Sequence, residues 1–386
     1  MSTGHLVFEN GVVMQGRSLG KRGQATGKVM PYTSMTDYQA ILCDPVTQGQ
    51  LICMTYPLIG NVGRIDNLQD AGNIQAAGLI LRESIDQVDH WQSVESLHDW
   101  LLSQNSVAIC GIDTREVVRL IRDRGPMYAV ISTQPDADVS SLADQARRLR
   151  LTPDAADQTA AGTQDAASQQ VYMPAQVASE DMSQIAAGCH AAAIDLGLNQ
   201  KLINALTARG CKVTVQSLPA SPAHITKTQA DQTERLLLEL KPDVIVLTSG
   251  PEEQAGKASG ALLSMIRRLA DQLPVWGVDS GHLLLARSFG LPLISLPLGH
   301  HGANYPVFET SSGRTYMTLQ HHRLTVAPQA LENQKTISLT HRNINDDSIE
   351  GLSYGGRHFS TQFLPDTDNY AHQTGHIWDQ LIAALS

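Results

Sequence analysis

The sequence predicts an α/β protein in two parts, a mixed α/β N-terminal domain followed by a doubly wound parallel sheet. Three observations carry this reading. From Cys189 onward, short apolar runs alternate with helix-length amphipathic stretches, the rhythm of strands joined by crossover helices. Before residue 150 the pattern is short strands and turns, with two helical stretches near 92–104 and 114–124. Between Leu151 and Gln200 there is no Lys or Arg, and 151–187 is dominated by Ala, Gln, Asp, Ser and Thr, a composition that reads as linker. The boundaries expected are therefore 1–150, a linker over 151–187, and 188–386. A chain of 386 residues accommodates two domains at roughly 100 to 200 residues each.

In the first part, Asn10-Gly11 between alternating apolar residues signals a hairpin. Within the linker one short extended segment is expected at Val171-Tyr172-Met173. In the second part, Ala191 to Leu196 reads as a buried strand, 200–209 as a helix and Lys212 to Gln216 as a strand. Helix 229–240 then leads to strand Val244 to Leu247, helix 256–272 to strand Val275 to Val278, and helix 281–289 follows. In such sheets ligands bind outside the carboxyl ends of the strands. The segments beginning at Thr248 and at Gly277 are thus the places to look for a site.

Composition excludes several classes. With 42% hydrophobic, 17% charged and 5% aromatic residues, the chain falls outside disordered, collagenous and disulfide-scaffold ranges. The formal charge of -10 argues against nucleic acid as a partner, and no apolar run reaches membrane-spanning length. The five cysteines, Cys43, Cys53, Cys110, Cys189 and Cys211, are far apart and show no CxxC spacing. Free thiols in a reducing cytoplasm are expected.

Gly277-Val278-Asp279-Ser280-Gly281-His282 has the form of a strand-turn-helix elbow, in which small neighbours permit a tight turn and the central side chain projects over the sheet. Here that residue is Asp279. The simpler reading of Asp279, and of Ser280 beside it, is capping at a helix start. His300-His301, His321-His322 and His282 invite a metal site. Adjacent residues on a strand face opposite ways, so neither pair can converge on one ion, and no metal is expected.

The segments Tyr32-Thr-Ser-Met-Thr-Asp-Tyr-Gln-Ala-Ile-Leu-Cys-Asp-Pro45, Thr55-Tyr-Pro-Leu-Ile-Gly-Asn-Val-Gly63 and Gly299-His-His-Gly-Ala-Asn-Tyr-Pro-Val307 closely resemble the small, glutamine-hydrolysing subunit of carbamoyl-phosphate synthetase, a class I glutamine amidotransferase. Gly111-Ile-Asp-Thr-Arg115, Ile194-Asp-Leu-Gly197, Gly250-Pro251 and Pro365 match in order. The resemblance implies a small-subunit N-terminal domain and a C-terminal amidotransferase-like domain. It also implies a cysteine nucleophile at the elbow, with a later histidine base oriented by a carboxylate. In this sequence those positions hold Asp279, Leu364 and Asp366. Thiolate attack on an amide needs all three parts, since the base returns the proton to departing ammonia and the carboxylate fixes the imidazole tautomer.

The glutamine pocket implied by the resemblance is altered as well. Its positions here are Val46, Gly250, Glu252, Ser280, Leu283, His321, Arg323 and Leu324. Ionised Asp279 near Glu252 is expected to set negative charge where an oxyanion would form, opposing the stabilisation such a site supplies. The resemblance further implies a large-subunit partner that uses ATP and magnesium to make carbamoyl phosphate from bicarbonate and ammonia, serving arginine or pyrimidine synthesis. No cofactor is expected in this chain. Ammonia-dependent synthetases of the urea cycle look similar in retaining a glutaminase-like domain without its cysteine. Three functions stay open at this point: a non-hydrolysing small subunit, a free-standing ligand-binding or regulatory pseudo-amidotransferase, and an active amidotransferase with atypical residues.

Overall fold

The computed structural model describes residues 3–35, 38–44, 47–66, 73–134, 138–151, 169–173, 189–197, 200–332, 334–365 and 374–385. The chain forms two compact units, one of residues 1–162 with 301–303 and one of 163–300 with 304–386. Most of the expected linker, 152–168 and 174–187, lies outside the described residues. Of its expected extended segment, Gln169–Tyr172 is a strand, antiparallel to Lys212–Ser217 at the edge of the second unit's sheet.

The first unit is a closed barrel of seven strands, in the order Thr3–Phe8, Tyr128–Ser132, Gln24–Tyr32, Gln50–Met54, Gly78–Ile80, Val107–Cys110 and Val13–Gly20. The Asn10-Gly11 hairpin joins two of them. Gly11 takes φ +85°, the Asn10 Oδ1 accepts the Val12 N–H, and Val7 pairs with Val13. Helix Leu97–Ser103 starts five residues later than the sequence suggests. Ser96 caps it by accepting the Asp99 N–H, while Ser93–Glu95 pairs as a short strand with Arg64–Ile65. Helix Thr114–Arg124 begins where Asp113 accepts the N–H groups of Arg115 and Glu116.

The second unit carries a ten-stranded sheet. Its parallel centre runs Lys212–Ser217, His190–Asp195, Val244–Leu247, Val275–Val278 and His358–Thr361. Beyond it, Ile349–Tyr354, Ile337–Asn343, Leu293–Glu309 and Arg314–Val326 continue the sheet, with antiparallel pairing from His358–Thr361 through Leu293–Glu309. The unbroken apolar runs follow from burial on both faces. Ala192, Ile194, Ile245 and Leu247 enter one core with Leu262, Met265 and Leu284. Ala191, Ala193, Val244 and Val246 enter another with Trp276, Leu206 and Trp378. The alternation is the period of two that a pleated strand imposes.

Two helices differ from expectation for local reasons. A capping box between Thr226 and Gln229 starts Lys227–Glu239 earlier. The stretch 256–272 is split into Glu252–Gly256 and Gly260–Gln272. Ser259 makes the break by accepting the Leu262 N–H and donating to the Ile225 carbonyl.

The cysteine expectation requires correction. Cys189 and Cys211 form a disulfide with a Cα separation of 4.7 Å. They immediately precede the paired strands His190–Asp195 and Lys212–Ser217, whose register sets His190 against Lys212 and so brings the two preceding residues abreast. Cys43, Cys53 and Cys110 are not disulfide-bonded, and burial pushes the Cys53 thiol up to about 12.

Candidate functional site

Strand Val275–Val278 runs into helix Ser280–Ser288 through Asp279 alone, which takes φ +55° and ψ −116°. A non-glycine residue held at positive φ stores on the order of 1–3 kcal/mol of strain. The Asp279 N–H donates to the Thr361 carbonyl at 2.9 Å, and its own carbonyl accepts the His282 N–H at 2.9 Å. Two glycines let the chain turn this sharply. A Cβ on Gly277 would stand 2.5 Å from the Gly281 carbonyl oxygen, and one on Gly281 would stand 2.2 Å from that of Leu247. Gly281→Ala is therefore expected to cost about 3 kcal/mol or more, read as a fall in the urea unfolding midpoint.

The capping roles given to Asp279 and Ser280 do not hold. Asp279 sits at the N-cap, but its side chain makes no capping hydrogen bond. Ser280 is buried within the helix, its Oγ 3.5 Å from the Thr248 carbonyl oxygen. The positive φ makes Asp279 the centre of an elbow rather than an extended cap. Leu283, a pocket position by resemblance, is wholly buried in the larger core.

The neighbouring strand end brings in the second group. A Cβ on Gly250 would lie 2.1 Å from the Leu196 carbonyl oxygen, and one on Gly197, at φ +145°, would lie 2.9 Å from the Gly250 Cα. Helix Glu252–Gly256 follows. The Glu252 Oε2 accepts the N–H groups of Arg323 at 2.6 Å and Leu324 at 2.7 Å. Its carboxylate is thus directed at the backbone of strand Arg314–Val326, a destination the sequence did not disclose. The Arg323 guanidinium is engaged elsewhere, with Ser295 Oγ and the carbonyls of Leu296 and Pro297, and burial lowers its pKa despite the nearby charges of Glu252 and Glu253. His321 and Leu324, on the same strand, are both half-buried.

The position where the resemblance expects the base follows the next strand. Thr361, whose carbonyl receives the Asp279 N–H, ends strand His358–Thr361, and Leu364 three residues on packs against the core that contains Trp276, Val278 and Trp378. The structure thus brings the elbow beside the chain that leads to Leu364. Val46 and Asp366 lie outside the described residues.

The histidines divide among separate tasks. His282 is fully buried, its Nδ1 2.8 Å from Ser360 Oγ, and burial pushes its pKa down to about 3. Alternation along the strands keeps neighbours apart, yet it leaves one histidine of each pair free to meet. His300, His322 and Glu350 bring ligand atoms within 4.8 Å of one another, and among the described residues this is the one group that could hold a metal. All but one of its atoms already have protein partners, Glu350 Oε2 being buried without one. His300 Nδ1 lies 2.7 Å from Gln320 Oε1 and its Nε2 2.8 Å from Asp346 Oδ2. Glu350 Oε1 meets Ser348 and Asn343. Burial alone would lower the His300 pKa, but the carboxylates of Glu350 and Asp346 raise it above its ordinary value. Burial raises Glu350 and holds His322 well below the imidazole range.

The elbow stands beside a glycine-lined strand end, and comparison with known proteins supplies the family. Residues 6–131 match the model for the carbamoyl-phosphate synthase small chain, CPSase domain, and residues 192–384 match that for glutamine amidotransferase class-I. The chain is 36% identical over 385 residues to the carbamoyl phosphate synthase small chain of Chlorobaculum tepidum, covering 97% of this chain and 95% of the relative. The chain belongs to the carbamoyl phosphate synthase small-chain family. The small chain of Symbiobacterium thermophilum is 32% identical, covering 98% of this chain and 97% of the relative. That of Pseudomonas aeruginosa is 32% identical, covering 99% and 98%. As a carbamoyl phosphate synthase small chain it joins a small-subunit domain to a class I amidotransferase domain. Among the described residues no helix is long and apolar enough to cross a membrane.

Proposed function

We propose that this chain is the small subunit of a carbamoyl phosphate synthase that uses free ammonia, and that its amidotransferase domain does not hydrolyse glutamine. The observation that carries the reading is the aspartate at the centre of the elbow. A carboxylate there is a poor nucleophile toward an amide, and its charge opposes the oxyanion that attack would create. Leu364, at the position where the resemblance expects the base, offers no proton acceptor and packs into an apolar core. Asp366 would then have no imidazole to orient.

The partner is a large synthetase subunit, in which ATP and magnesium do the chemistry; this chain carries no cofactor. Its role is to favour the active conformation of that partner, because a subunit that binds one state preferentially shifts its population. The complex works in the cytoplasm and feeds arginine or pyrimidine synthesis. Glu350 and its histidines serve as a buried hydrogen-bond network, with no metal.

Carbamoyl phosphate formation by the chain reconstituted with its cognate large subunit tests this. With ammonium as sole nitrogen donor, addition of the chain is expected to raise the rate; with glutamine as sole donor, no product is expected. Glutamine-dependent synthesis would identify an active amidotransferase with atypical residues. No effect with either donor, and no complex on co-purification, would favour a free-standing binding protein.

A further inference from the structure

Glu252 stands in the first turn of a short helix, half-buried, and one of its oxygens receives two successive main-chain N–H groups, from Arg323 at 2.6 Å and Leu324 at 2.7 Å. Adjacent backbone donors converging on one anionic oxygen recognise a carboxylate through charge-assisted hydrogen bonds. The helix is fitted against these donors: a Cβ on Gly256 would meet Leu324 Cδ1 at 2.8 Å. The Arg323 side chain does not compete for the position, since its guanidinium is committed to Ser295, Leu296 and Pro297.

We infer that the N–H groups of Arg323 and Leu324 form a carboxylate-binding site, and that the chain's own Glu252 occupies it and closes the pocket to free amino acids. A tethered carboxylate acts at an effective concentration of millimolar or above. A free amino acid must displace it and recover both bonds before it gains anything. The inference rests on the proposed loss of glutamine chemistry only in taking Gly250, Glu252, Arg323 and Leu324 as one pocket. It concerns binding, not turnover, so each can fail without the other.

The test is calorimetric titration of L-glutamine and of sodium acetate into the full chain and two variants. Glu252→Gly removes the internal ligand, and is expected to bind L-glutamine at least about tenfold more tightly than the unaltered chain, with acetate competing. Glu252→Gln retains an oxygen that accepts both bonds and is expected to stay close to the unaltered chain. Amide hydrogen exchange at Arg323 and Leu324 gives a reading that does not depend on either variant folding: excess L-glutamine is expected to leave both amides of the unaltered chain unchanged. Binding of L-glutamine to Glu252→Gly within about twofold of the unaltered chain would overturn the inference. So would protection of those amides by L-glutamine in the unaltered chain. If glutamine binds the unaltered chain but yields no carbamoyl phosphate, the self-occupied site is refuted while the ammonia-using reading stands.

Discussion

Incubated with glutamine, alone or with its large-subunit partner, the chain is expected to release no glutamate above the rate in buffer. Asp279→Cys by itself is expected to leave that result unchanged. In a well-dissected protease triad, loss of the nucleophile or of the base alone lowers turnover by about 10⁶, and here both positions hold the wrong chemistry. The substituted thiol would sit at the elbow, beside a helix start that favours its thiolate. Protonation of departing ammonia would still lack an imidazole, because Leu364 packs in the core around Trp378. Glu252 would still hold the two backbone donors. The readout is glutamate formation followed by NMR. Turnover by the unaltered chain would refute the proposed loss of activity. Turnover by Asp279→Cys alone would show that another group near the elbow serves as base.

Lowering the pH from 7 to about 4.5 is expected to remove on the order of 5 kcal/mol of stability. His282 and His341 are almost fully buried, and burial holds their pKa values at about 3 and about 4 against an ordinary 6.5. The folded chain keeps both neutral while the unfolded chain protonates them, so the unfolded state binds more protons below 6.5. Their contribution is therefore full above 6.5 and is lost as pH falls, at about 1.4 kcal/mol per unit per group. His358, lowered to about 4 by burial and by Arg357 and Arg267, acts in the same direction. Glu350 acts in the opposite one: its raised pKa lets the folded chain take up a proton first, which offsets part of the loss. Urea unfolding at several pH values measures the slope, and His282→Asn is expected to remove about half of it. A flat profile between pH 6.5 and 4.5 would mean that these histidines are solvated or paired in the folded chain.

Much of the architecture was legible because it rests on local chemistry. Asn10-Gly11 specified a hairpin through backbone conformations few residues adopt, and the apolar runs at 191–196, 244–247 and 275–278 could only be strands covered on both faces. Gly277 and Gly281 around Asp279 marked the elbow, since a side chain at either glycine would strike a carbonyl. Boundaries were less legible where a cap outweighed periodicity, as at Ser96, Thr226 and Ser259. The closure of seven strands of the first unit into a barrel was not legible at all, because it depends on pairings between distant segments such as Val107–Cys110 with Val13–Gly20.

At the site the division is similar. The sequence by itself determined which residue types occupy the elbow, the strand ends and the position after the last parallel strand, and with them the chemistry the chain has to work with. Tertiary structure decided where those groups point. Strand register set Cys189 beside Cys211, chain separation notwithstanding. The packing of a five-residue helix against a strand seventy residues away turned the Glu252 carboxylate onto the backbone of Arg323 and Leu324. Alternation on paired strands gathered His300, His322 and Glu350 and left their neighbours outside. Residue identity is a local property, but the partner of a charged or polar side chain is fixed only when the folded backbone brings donors and acceptors within about 3 Å.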